Sequence, residues 1–273
     1  MPGSGLVAAA RVIAAVTFAP GLPMFLRRLS LVASLSLASM TLHAQDLATT
    51  CHATSSYDLT IAPDRLLFDR PQPMPRQVEL HDGSLRTDGS KVALRPDEQD
   101  RLALFERELR TLAPRAKAVA ANGVDMLAAA MHDEGARLSL DPATRTELDR
   151  RVASRAAELK QRLAASNSTH DWQGNLADQY ANQLASDLMP LLANDLGQQA
   201  MNAAMTGDLQ AAANLRDTAS DLTTQLRPRL EQRMRALGPQ VQALCPAVQR
   251  LAELQQGIRG AGGQPLNLLE VGQ

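Results

Sequence analysis

Histidine and cysteine carry most of the reactive potential in this chain. Four of its five histidines, His52, His81, His132 and His170, lie beyond residue 44. A metal site on a helix spaces its ligands three or four residues apart, which puts them on one face. None of the four has a second histidine at that spacing. His132-Asp133-Glu134 is the nearest approach to a metal cluster. Adjacent helical residues point in different directions, so this run reads as a solvated helix end before Gly135. His170-Asp171-Trp172 suggests a loop site with an aromatic wall, and it supplies the one enzymatic alternative: a hydrolytic site near His170 and Asp171, assembled by the fold. The competing reading makes Trp172 a core anchor for the helix that follows. Serine nucleophiles need a strained turn with histidine and acid partners, and no Gly-x-Ser-x-Gly occurs. Gly257, Gly260, Gly262 and Gly263 follow a helix, whereas a phosphate loop joins a strand to a helix. Glu106 and Glu108 alternate with Arg107 and Arg110, which predicts a solvated, salt-bridged face. The sequence therefore names no catalytic, metal-binding or cofactor-binding residue.

The compartment is more legible. Residues 1–44 contain Arg11, Arg27 and Arg28 and no acidic residue. From Met24 the chain reads Met-Phe-Leu-Arg-Arg, then an apolar run from Leu29 to Leu42, then His43-Ala44. This is the pattern of an export signal, with cleavage expected after Ala44. The run is shorter than the ~20 apolar residues that a membrane span requires, so the mature chain is read without an integral span. Val7–Ala19 is a second apolar segment ahead of Met24, and its position favours Met24 as the true translation start. Removing three cations takes the formal charge from −1 to −4.

Cys51 and Cys245 both follow the expected cut and are the only cysteines. An even count in an exported chain suggests a disulfide. Two buried unpaired thiols are the alternative. A lipid anchor at Cys51 fits poorly, because Thr50 stands where a smaller residue is expected. A redox pair would be close in sequence, and these two are not.

The elements that would position these residues change character at Pro96. Within 45–95, Tyr57–Ile61, Leu66–Phe68, Gln77–Leu80, Leu85–Thr87 and Lys91–Leu94 are short apolar or alternating pieces. Asp82-Gly83 and Asp88-Gly89 separate some of them and signal hairpins. A small antiparallel sheet of three or four strands is expected. From 96 to 258, apolar residues recur at spacings of three and four. Leu102, Phe105, Leu109 and Leu112 form the first stripe, which Pro114 should end or kink. Leu148, Val152, Leu159 and Leu163 form the second, after Asp141-Pro142. Leu176, Tyr180, Leu184, Leu188 and Leu191 form the third, with a kink at Pro190. Leu215, Leu222, Leu226, Leu230, Met234 and Leu237 form the fourth, with a further kink at Pro228. Val241, Leu244, Val248, Leu251 and Ile258 form the last. Repeated Pro and Gly breaks favour helices folding back on one another over an intermolecular coiled coil. Residues 259–273 are expected to be a flexible tail. The fold class is α+β, mainly α, with a small N-terminal antiparallel β segment packed on a bundle of four or five amphipathic helices.

The layout resembles the YggN-like periplasmic proteins of proteobacteria, a family of unknown function. The matching features are the signal ending in His43-Ala44, Cys51 soon after it, and the Asp-Gly-rich segment around Asp82–Asp88. A helix running into Glu106-Arg107-Glu108-Leu109-Arg110 follows, and Cys245 stands near the C-terminus. The resemblance implies a periplasmic location and cysteines at both ends of the domain. It carries no activity and no catalytic residue.

Composition narrows the function further. The chain has 273 residues, 45% of them hydrophobic, 21% charged and 3% aromatic. That is enough to bury a core, and near-neutral charge argues against a nucleic-acid partner. Beyond residue 44 the aromatics are Tyr57, Phe68, Phe105, Trp172 and Tyr180, too few for a stacking platform. The leading reading is a non-enzymatic envelope protein whose partner is an envelope protein or an apolar ligand. It rests on the helical stripes and the methionines of Met201–Met205, for which core filling is the competing role.

Overall fold

The computed structural model describes residues 49–172 and 176–272. The apolar leader, the Met24 start and the Ala44 cut lie outside these residues, as do the side chains of Leu176, Tyr180 and Leu222.

The N-terminal strands are β1 (Ala53–Thr54), β2 (Asp58–Ile61), β3 (Leu66–Asp69), β4 (Gln77–His81), β5 (Ser84–Thr87) and β6 (Ser90–Lys91). Strands β2 to β6 form one antiparallel meander in chain order. Five strands exceed the expected three or four because the proline series falls between β3 and β4 and interrupts neither; Gln72–Pro73 and Met74–Pro75 are both cis. Asp82 and Gly83 have φ of 45° and 74°, and Asp88 and Gly89 have 48° and 80°. Positive φ at both central residues is what a two-residue hairpin needs, and Asp-Gly supplies it at low cost. Val78, Leu80, Leu85 and Thr87 are buried on one face, in alternation with Glu79 and Arg86. A Cβ on Gly83 would lie 2.5 Å from the Gln99 carbonyl oxygen, so the first turn sits tight against the helix that follows.

That helix, α1 (Pro96–Arg137), begins with proline at its first turn beside Asp97 and Glu98. The Arg95 N–H donates to Glu98 Oε2 at 2.9 Å, satisfying an otherwise orphaned donor. The helix does not end at Pro114 or at Gly123. A proline inside a helix costs ~3 kcal/mol, but α1 is packed on both sides of it. Leu102, Phe105 and Leu112 enter one core with the sheet, and Ala130 and Gly135 lie buried near the far end. Gly123 has a packing role: a Cβ there would come within 3.0 Å of Leu237 Cδ1.

Helix α2 (Pro142–Ala165) is capped by Asp141, whose carboxylate accepts from the Ala143 N–H at 2.9 Å. A 3₁₀ turn (Thr169–Trp172) follows. Helices α3 (Leu176–Met205) and α4 (Leu209–Met234) form an antiparallel hairpin through Gly207, with Asp208 capping α4. Both remain single helices across Pro190 and Pro228. The short α5 (Gly238–Gln242) and α6 (Cys245–Gln255) complete the helical part. The chain ends in β7 (Glu270–Val271), which pairs antiparallel with β1.

Two cores result. The first joins Leu66, Phe68, Val78, Leu80 and Leu85 to Leu102, Phe105, Val248 and Leu251. The second joins Leu138, Leu140, Leu148, Val152, Leu188 and Leu192. The expectation of a loose C-terminal tail is corrected here. Leu266 and Leu268 are each 1% exposed and belong to the first core. The Gln255 side chain holds this segment through the Leu268 N–H and the Leu269 carbonyl. Cys51 and Cys245 are bonded, with Cα atoms 5.1 Å apart, inside the ~7 Å that a disulfide permits. The bridge ties the segment before β1 to the start of α6.

Candidate functional site

The free edge of β2 is covered by the segment between α2 and α3. The Ile61 N–H donates to the Asn167 carbonyl at 2.8 Å, and the Thr60 and Ser168 hydroxyls meet at 2.9 Å. Thr169 Oγ1 accepts the Leu59 N–H at 2.9 Å and donates to Asp58 Oδ1 at 3.1 Å. Covering an edge strand protects it from pairing with another chain, and here it also delivers His170 to the sheet. His170 Nδ1 lies 3.4 Å from Asp58 Oδ2, and its Nε2 lies 3.7 Å from Asp69 Oδ2. One ligand-type atom from each of these three residues falls within 4.8 Å of the others. Asp58 is largely buried while the His170 ring is 60% exposed.

The structure separates His170 from Asp171. Asp171 Oδ2 accepts the Ser166 hydroxyl at 2.8 Å, and the same hydroxyl oxygen accepts the Trp172 indole N–H at 2.8 Å. Trp172 therefore braces the loop and is half-exposed; it is not a core anchor. His170 and Asp171 therefore face different partners. The other histidines are dispersed. His132 Nδ1 lies 2.8 Å from Asp149 Oδ1 on an exposed face. His81 meets the Asp64 carbonyl through Nδ1 at 2.5 Å, which pushes its pKa up. Two carboxylates expected on solvated faces are buried instead. Glu106 accepts the Asp82 N–H at 2.9 Å and pairs with Arg110 at 3.2 Å. Glu134 bridges Arg137 and Arg229. Isolated buried charge is costly, and these partners offset that cost.

Among the described residues, two of the surface clefts are lined by no histidine. One, of about 370 Å³, is lined by Arg150, Arg151, Ser154, Arg155 and Asp187. Its arginines are already engaged: Glu147 holds Arg150 and Arg151, and Asp187 and Glu158 hold Arg155. The two arginines in turn hold the Glu147 carboxyl down to about 2. The other, of about 600 Å³, runs between α6 and the C-terminal segment and mixes Ala252, Pro265, Leu269 and Val271 with Gln249 and Glu253.

The α3–α4 hairpin end is different in kind. Among the described side chains, none from Leu196 to Arg229 is fully buried. Gln199 donates to the Ser139 carbonyl, in the α1–α2 connection, at 2.7 Å, and Arg229 pairs with Glu134 at 3.0 Å. Between them stand Met201, Met205 and Leu209, exposed by 66%, 80% and 76%. These methionines do not fill the core.

The fold and these sites define an α+β, mainly α protein in which a covered sheet edge, a two-helix arm and a disulfide are the distinctive features. A family model described as "Protein of unknown function (DUF2884)" matches residues 51–268, and the chain belongs to that family. Neither the curated proteins nor the solved structures gave a match. Among the described residues, no helix is long and apolar enough to cross a membrane.

Proposed function

We propose that this chain is an exported, periplasmic, non-enzymatic binding protein that engages an apolar segment of an envelope protein with the end of its α3–α4 hairpin. The observation that carries the reading is the exposure of Met201, Met205 and Leu209 around one helix–helix turn. Unbranched, polarizable methionine side chains adapt to partners of varied shape, and exposed apolar groups gathered in one place mark interaction surfaces. The basic leader with its short apolar run, together with a disulfide in the folded domain, supports export.

The test replaces Met201, Met205 and Leu209 together with glutamine, which keeps helix propensity. Photo-crosslinking from residue 202 in intact cells, and binding of an environment-sensitive apolar dye, are compared between the two proteins. Loss of both signals at unchanged melting temperature supports the reading; retention of both overturns it. The export component is checked by N-terminal sequencing of envelope protein, which should begin at or near Gln45. A mature chain that keeps Arg27 and Arg28 would sink that component.

A further inference from the structure

The C-terminal strand leaves one residue's main chain unspent. In the β1–β7 pair, Ala53 stands opposite Val271 and Thr54 opposite Glu270. The Gly272 N–H donates to the His52 carbonyl at 2.7 Å. Antiparallel ladders alternate between hydrogen-bonded and non-hydrogen-bonded pairs. Glu270 and Gly272 therefore take the bonded positions, and the N–H and C=O of Val271 point away from β1. Among the described residues, nothing bonds these two groups. Two residues earlier, the chain shows how such groups are met. The Gln255 side chain accepts the Leu269 N–H through Oε1 at 3.3 Å and donates to the Leu269 carbonyl through Nε2. One carboxamide, with its own donor and acceptor, takes the place of a neighbouring strand's peptide group. Gln255, Leu269 and Val271 all line the cleft of about 600 Å³ between α6 and the C-terminal segment.

We infer that this cleft binds an extended peptide segment bearing lysine or arginine, which pairs with Val271 and adds a strand to the β1–β7 sheet. Strand addition at an open edge draws affinity from main-chain hydrogen bonds and specificity from alternate side chains. A peptide residue set antiparallel to Val271 uses both open groups at once. Ala252, Pro265 and Leu269 give the cleft apolar wall for the side chains between. Its volume falls within the range of about 300–1,000 Å³ typical of ligand sites. Charge identifies the occupant. The charged residues lining the cleft are Glu253 and Glu270, both exposed and, among the described residues, in no ion pair. Cationic side chains meet these carboxylates, and an acidic segment is repelled by them. The site is built from α6 and β7, so it does not depend on what the α3–α4 hairpin binds.

The test uses a short fluorescein-labelled peptide of alternating lysine and valine with blocked ends, read by fluorescence anisotropy against the full chain. Binding saturates at one equivalent. An N-methylated counterpart, which has no main-chain donors, binds about tenfold or more weakly, as does a peptide of alternating glutamate and valine. Val271→Pro deletes the open N–H alone, because that group lies outside the β1 ladder, and proline is tolerated on such an edge. It weakens binding by about fivefold or more at unchanged melting temperature. Glu253→Gln combined with Glu270→Gln weakens binding by a similar factor and flattens its salt dependence. The variant with glutamine at Met201, Met205 and Leu209 binds as the wild type does. If Val271→Pro lowers the melting temperature, the N-methylated peptide, which leaves the protein unaltered, decides the matter. A lysine–valine peptide that never saturates, or an N-methylated one that binds as tightly, overturns the site. So does a Val271→Pro protein of unchanged melting temperature that binds like the wild type, and so does loss of binding in the hairpin variant.

Discussion

Glu106 and Glu108 differ by two positions and by almost everything else. Glu108 reaches Arg250 at 3.5 Å on the surface, whereas Glu106 is 7% exposed and caps the Asp82 N–H. Removing a buried acceptor strands its donor, and such losses run at about 1–3 kcal/mol. Glu106→Ala should therefore lower stability by about 2–3 kcal/mol in urea unfolding, and Glu108→Ala by less than about 0.5 kcal/mol. Equal effects would remove the distinction. Glu147 makes the corresponding pH prediction. Its carboxyl is lowered from 4.5 to about 2 by hydrogen bonds from Arg150 and Arg151. A carboxyl lowered on folding contributes stability that is fully present above 4.5 and is lost as pH falls through about 2. The urea midpoint of the wild type should thus fall more steeply than that of Glu147→Gln between these values. The gap between the two should be constant at higher pH. The residue scale was the least legible in the sequence. Glu106 looked like part of a charged run, and nothing in Glu-Arg-Glu-Leu-Arg says which carboxylate faces a strand turn. His170, Asp58 and Asp69 come from three elements whose meeting depends on a loop covering a sheet edge.

At the scale of elements, local chemistry was legible wherever the backbone had to be special. Asp82-Gly83 and Asp88-Gly89 close the hairpins because they tolerate positive φ. Pro96 and Asp141-Pro142 start helices for the same local reason. Pro114 does not end its helix, and Pro190 and Pro228, expected as kinks, lie within single helices. Tertiary packing sustains α1 on both sides of Pro114, and no local rule contains that information. The disulfide is the element-scale device with the longest reach, joining residues 194 positions apart. The chain-entropy model allows up to roughly 5 kcal/mol for so long a loop. Cys51→Ser and Cys245→Ser should each lower the melting temperature to a similar degree, and the double variant should be little worse, because one bond is lost in all three. Additive losses would mean that each thiol has a separate role.

Among the described residues, the decisive feature at the largest scale is how the segment from Cys51 and the segment after α6 close the first core. Residues 259–273 read as a tail because Gly260, Gly262 and Gly263 promise slack and Pro265 interrupts any periodic pattern. Leu266-Asn267-Leu268 is too short a run to register as an element, yet both leucines are buried to 1% against the sheet and α1. Full burial of a leucine is worth about 1.5–3 kcal/mol, so the pair contributes roughly 3–6 kcal/mol. A domain of ordinary stability has only about 5–15 kcal/mol in total. Truncation after Gly263 removes both leucines, the β7 partner of β1 and the backbone groups that Gln255 holds. The disulfide would still hold Cys51 beside α6 but would leave β1 unpaired. The truncated chain should therefore lose roughly 3–6 kcal/mol of unfolding free energy, with the loss centred on the first core. Amide exchange should rise in β4, β5 and α6 more than in α2, whose buried residues belong to the second core. Leu266→Ala with Leu268→Ala in the full-length chain should reproduce most of the effect. A truncated protein as stable as the wild type would return this segment to the role of a tail. Equal deprotection of both cores would mean that the molecule unfolds as one cooperative unit from its C-terminus inward.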